Sequence, residues 1–279
     1  MSSDVLVFGV ITGAVIALGS LGMSMVFAQY RFLNFAYGEF LTIGAYIYLA
    51  VGGLGSGWGG IALAAGVTGG LGVLSQQLVF KPLVDRGPIT MTVASMGLGF
   101  AAQAIIGAIW GTGVQAVEIP TLKLSVGPFD DLQVTIGLTV LALAALTAAM
   151  LYRTRAGRQL RASADNRTLA AISGVNLRRV GLLTWGLGGA LAAVAGVLTA
   201  AYGQLTPTMG FLTLFPIIAA VLISGGGNPF RAAAGGFLIG IASEFGAVFV
   251  GSAYKPAMAI VALAIGLLVM AFVSRKVRV

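Results

Sequence analysis

Long apolar runs separated by short polar punctuation dominate this chain. They cover 5–27, 38–52, 60–79, 90–110, 134–151, 181–203, 213–226, 232–250 and 256–273. A helix rises 1.5 Å per residue, so about 20 apolar residues cross ~30 Å of hydrocarbon. The pattern predicts an all-α polytopic membrane protein with eight or nine transmembrane helices. Two runs are short, 38–52 and 213–226, and the second leads into Ser224-Gly-Gly-Gly-Asn-Pro229. Broken or re-entrant helices are tolerated where protein encloses them or water lines them, and they are expected at these two places. Gly225, Gly226, Gly227 and Pro229 form the expected helix break or hinge, and Arg31 falls at a turn or at another break.

The polar connections sort by charge. Lys81, Arg86, the 153–179 segment, Arg231 and the Arg275–Arg278 tail alternate with Asp4, the 52–60 turn and the acidic 111–133 connection. Lys and Arg mark the cytoplasmic side. The N-terminus is therefore expected outside and the C-terminus inside. Met1–Asp4 lacks the basic region of a signal peptide, so the first run is expected to remain as a span. Residues 1–279 read as a single transmembrane domain.

Composition narrows the classes further. Charged residues make up 9% of the chain and hydrophobic ones 58%, whereas a soluble domain carries about 25% charge. The net charge of +8 lies at the ends of spans, which leaves no case for nucleic-acid binding. There is no Cys and no His. That excludes disulfides, thiolate or imidazole metal sites, haem ligation and every His-dependent triad, so no catalytic residue and no metal ligand is assigned. Ser224–Asn228 lacks the Gly-Lys-Ser/Thr ending of a nucleotide loop; any ATP-driven work belongs to a partner. Gly9–Gly13, Gly66–Gly70 and Gly236–Gly240 have the spacing of close helix packing.

Ionisable groups inside spans usually face the bundle interior or a watery path, because each costs ~2.5–3.5 kcal/mol at a helix centre. Glu244 lies within Phe237–Val250 and reads either as a residue lining a path or as a hydrogen-bonded lock between helices. Asn34 and Glu39 fit a helix start, the first as a cap and the second as an acid in the first turn. Gln103 is uncharged and suits interhelical hydrogen bonding. These four are the candidates for a translocation path or its gates.

Arg153–Arg179 holds seven of the sixteen basic residues, with Asp165 as its sole acid. Within it Asp165 is an expected N-cap, Asn166–Ser173 has no breaker, and Gly174 stands where a left-handed C-terminal residue belongs. Leu169 and Ile172 share one face. So short a helix needs a surface to lie against, either this chain's own membrane face or a partner's apolar groove. Caps and an apolar face exceed what an orientation signal requires, which favours docking.

Three motifs now carry a resemblance across nearly the whole chain. The first is Asn34-Phe-Ala-Tyr-Gly-Glu39 with Gly44-Ala-Tyr46, and the second runs from Arg155-Ala-Gly-Arg158 through Asn166, Ala170 and Gly174-Val-Asn176. The third is Pro207-x-x-Gly210, then Gly225-Gly-Gly227 through Gly235-Gly236, with Glu244 following. Together they resemble the H-type permease subunit of branched-chain amino-acid importers of the ATP-binding-cassette class. Tyr37 departs from the family's usual His, and Asn228-Pro-Phe-Arg231-Ala departs from its Gly-Ser and Gly-Ala. The resemblance implies a cassette-importer permease fold in a bacterial or archaeal cytoplasmic membrane, in contact with lipid. It implies an M-type permease partner, two ATPase subunits that bind ATP and Mg, and a periplasmic or lipoprotein binding protein. The 153–180 segment would dock on the ATPase, and the chain itself would hold no cofactor and catalyse nothing. Branched-chain amino acids are the implied solute, with other amino acids, urea, amides and carboxylates in the family's range. The competing readings are an ion-coupled transporter using Glu39 or Glu244 and a membrane scaffold that transports nothing.

Overall fold

The computed structural model describes residues 2–52, 57–124 and 126–251, with isolated positions at Ala257, Val261 and Ala264. The expected span 256–273 falls almost wholly outside the described residues, and the basic tail lies outside them. Among the described residues the chain is helical, with no strand beyond two isolated bridges. The helices are α1 (Ser2–Tyr30), α2 (Ala36–Val51), α3 (Trp58–Ser75), α4 (Pro88–Trp110), α5 (Asp131–Arg153), α6 (Arg155–Asp165), α7 (Arg167–Ile172), α8 (Leu177–Tyr202), α9 (Met209–Ile223) and α10 (Pro229–Val250). A π-turn, Gln76–Phe80, and a 3₁₀ segment, Lys81–Arg86, carry α3 on towards α4. Among the described residues six helices are long and apolar enough to cross a membrane, while α2 and α9 are shorter apolar helices.

Helices α1 and α8 form the centre, α1 against α10 and α8 against α2 and α3. Small residues let these helices approach closely. A Cβ on Gly13 would lie 2.6 Å from the Phe237 carbonyl oxygen, and one on Gly240 would strike the Gly13 backbone. The expected pairs Gly9–Gly13 and Gly236–Gly240 therefore face each other. Gly66–Gly70 does not behave so: a Cβ added at either would meet no other element within 4 Å. Helix α3 instead turns Gly69 and Gly72 towards α8, where added Cβ atoms would meet the Gly186 and Trp185 carbonyls at 2.8 and 2.6 Å. Exposed Ile89, Val93, Phe100, Leu141 and Leu146 give α4 and α5 the apolar exterior that lipid requires.

The two short helices meet near their N-terminal ends. The Gly210 N–H donates to Thr42 Oγ1 at 3.0 Å, and any side chain at Gly210 would collide with the Gly38 carbonyl. Before α2 the chain turns at Arg31 (φ 54°), and the Phe35 N–H donates to Ser95 Oγ of α4 at 2.9 Å. Helix α9 ends in a Schellman closure: Gly225 at φ 76° donates to the Leu222 carbonyl and Gly226 to that of Val221, each at 3.0 Å. Asn228 Oδ1 then accepts from the Phe230 and Arg231 N–H groups, with Pro229 in the first position of α10. Gly225–Pro229 is thus a tight junction between two helices.

Candidate functional site

The basic segment is two helices rather than a loop with one. Thr154 caps α6, its Oγ1 accepting from the Gly157 N–H at 3.0 Å. Gly157, Leu160 and Ser163 form the buried edge of α6, and an edge of one large apolar residue among arginines gives little periodic signal. Asp165 ends α6 and is not the cap of α7, because it is already committed to the last turn of the preceding helix. The cap is Asn166, whose Oδ1 accepts from the Leu169 N–H at 2.9 Å. At the other end Gly174 sits at φ 84° and donates to the Ala171 carbonyl at 3.1 Å, while Val175 donates to that of Ala170 at 3.0 Å. That closure is the one expected.

The platform is tied to the end of α1. Gln29 Nε2 donates to the Leu160 carbonyl at 2.7 Å, and the Arg167 guanidinium lies 5.3 Å from the Tyr30 ring centre. Arg161 similarly covers Tyr152 at 4.8 Å. Below them Tyr30, Phe32, Phe80 and Trp185 pack ring to ring, a cluster gathered from three separated stretches that sequence reading missed. Ala170 turns inward, but Leu169 is 61% exposed and Ile172 80%.

The polar candidates inside the bundle do not converge. Asn34 is 1% exposed, and neither polar atom of its side chain has a partner among the described residues. It does not cap α2, because Phe35 continues in helical conformation and occupies the N-cap position. Glu39 is buried beside an otherwise largely apolar recess of about 220 Å³ lined by Leu71, Leu74, Leu78 and Leu98. Gln103 is half-buried on α4 and lines neither that recess nor the cavity holding Glu244.

Glu244 is 7% exposed, and its Oε1 accepts from Thr12 Oγ1 at 2.7 Å, joining α10 to α1. It borders a cavity of about 380 Å³ shared with Thr199 and Tyr202 of α8 and Thr213 and Pro216 of α9. These groups come from the first half of α1, the end of α8, the start of α9 and the end of α10. The cavity therefore lies towards the opposite end of α1 from α6 and α7.

A multi-pass helical membrane protein, with a surface helix pair at one end and a cavity bordered by Glu244 towards the other, is the class this architecture defines. Residues 5–274 match the family described as branched-chain amino acid transport system, permease component, and the chain belongs to that family. It is 30% identical to the Escherichia coli high-affinity branched-chain amino acid transport system permease protein LivH, covering 94% of this chain and 91% of that one. It is 31% identical to BraD of Pseudomonas aeruginosa over 97% and 92% of the two chains, and 27% identical to a probable LivH of Methanocaldococcus jannaschii over 94% and 86%. No solved structure matches it significantly.

Proposed function

We propose that this chain is the membrane-embedded permease subunit of an ATP-driven importer for a small polar solute, with branched-chain or other amino acids as the class. It carries no ATPase site and works with ATPase subunits, a second permease and an extracytoplasmic binding protein. The exposed apolar face of α7 carries the reading. A six-residue helix fixed at both ends, yet holding Leu169 and Ile172 in solvent, is a surface prepared for a partner's groove. Membership in a permease family supports it, as does the seating of α6 and α7 on α1 and the core aromatics. On this reading the α7 side is cytoplasmic, the N-terminus is outside and the C-terminus inside.

The test is association with the ATPase. Covering the exposed parts of Leu169 and Ile172 is worth about 3 kcal/mol together, on the order of a hundredfold in dissociation constant. Leu169→Asp with Ile172→Asp should leave an inserted, folded permease that no longer co-purifies with the ATPase subunits. Retention at wild-type levels overturns docking through this face. An ion-coupled transporter would instead take up solute as purified chain alone in liposomes under an ion gradient.

A further inference from the structure

We infer that the cavity beside Glu244 is a binding site for a primary ammonium group on a short aliphatic body. The argument follows the protons of its hydroxyls. Thr12 Oγ1 donates to Glu244 at 2.7 Å, Thr199 Oγ1 to the Ala195 carbonyl at 2.7 Å, Thr213 Oγ1 to that of Met209 at 2.8 Å, and Ser243 Oγ to that of Gly240 at 2.8 Å. A hydroxyl has one proton and two lone pairs. These four have committed the proton and can only accept from a ligand. The Glu244 carboxylate is an acceptor as well. Tyr202 Oη is buried without a partner among the described residues and still has its proton to give. No Lys or Arg lines the cavity among those residues.

Such a lining is matched by a cationic group rich in N–H donors and mismatched to a carboxylate, for which it offers one hydroxyl. Val15, Ile16, Leu212 and Pro216 form apolar walls that suit a branched aliphatic chain. The charged hydrogen bonds and acceptor geometry fix the ammonium, while the walls admit the body by shape. The chain's own share of solute recognition is thus the amino end, and most of the contacts to a solute carboxylate come from outside this cavity. The importer reading enters only in taking the bound ligand as solute in transit. Binding itself is a property of this chain.

The experiment is a thermal-shift titration of the full-length chain in lipid nanodiscs. L-Leucinamide presents the ammonium without a carboxylate, 4-methylpentanamide lacks the ammonium, and 2-hydroxy-4-methylpentanamide replaces it with a hydroxyl. Leucinamide should raise the unfolding midpoint, and the other two should need at least about tenfold more ligand for the same shift. Thr213→Val removes one acceptor and should weaken the leucinamide response several-fold, with Glu244→Gln abolishing it. Equal stabilisation by the ligands without an ammonium overturns the assignment, as does an unchanged leucinamide response in Thr213→Val. A shift produced by sodium chloride but not choline chloride, with none from leucinamide, also overturns it and makes this an alkali-cation site. Solute uptake by the purified chain alone in liposomes under an ion gradient would sink the importer reading and leave these binding results standing.

Discussion

Gly174→Ala isolates the backbone closure of α7 from every other contact. Gly174 has φ 84° and nothing within 4 Å of an added Cβ, so the substitution meets no steric obstacle. Its cost is that of holding an L-residue in the left-handed region, about 1–2 kcal/mol. The closure it weakens consists of two hydrogen bonds, from residue 174 to the Ala171 carbonyl and from Val175 to that of Ala170. Because α7 has six residues and sits at the edge of the bundle, the loss should remain a local opening rather than lower global stability. Hydrogen exchange on a peptide spanning 166–176 should accelerate by about 5- to 30-fold, which is the same energy expressed as a population. Gly174→Asn should recover much of the protection, since Asn enters the left-handed region more easily. Gly227→Ala serves as the control: Gly227 also faces open space and has no positive φ, so exchange and midpoint should stay at wild type. Unchanged exchange at Val175 in Gly174→Ala, or equal loss in the Ala and Asn variants, would refute the reasoning.

Two further outcomes are expected. Gly210→Ala forces a Cβ into the Gly38 carbonyl and Thr42 Oγ1 and should cost about 1–3 kcal/mol in a thermal melt of the chain, whereas Gly66→Ala, facing open space, should leave the melt unchanged. Gln29→Ala removes the bond between α1 and the Leu160 carbonyl; ATPase binding should persist, while solute-stimulated ATP hydrolysis in the reconstituted complex should fall.

The long apolar helices among the described residues were legible because lipid enforces continuous apolar length, and that is a one-dimensional property. The expected 134–151 and 232–250 differ from α5 and α10 mainly where polar or breaker residues begin the helix, as in Asp131–Gln133 and Pro229–Arg231. Gly174 was legible because its backbone conformation excludes most other residues. Helix α6 was not, since its inward edge is Gly157, Leu160 and Ser163, and its arginines dominate any hydropathy window. The choice between Asp165 and Asn166 as cap depended on α6 consuming the former. The ring cluster of Tyr30, Phe32, Phe80 and Trp185, and the separation of Glu39 from Glu244, depend on which helices become neighbours. Spacing along the chain does not encode that.

Helix α1 connects the two ends of this molecule. Its 29 residues make a rod about 43 Å long, gripped at one end by α6 through Gln29 and bearing Thr12 beside the cavity towards the other. Between them Gly19 meets Ile217 and receives the Tyr37 hydroxyl on its carbonyl at 2.9 Å, a tight midpoint that fits a fulcrum. A tilt of about 10° around it would move Thr12 by about 2 Å and Gln29 by about 3 Å, in opposite directions, at 1.5 Å of rise per residue. Two angstroms is most of a hydrogen bond. A modest push on α6 would therefore be enough, by leverage alone, to pull Thr12 away from Glu244.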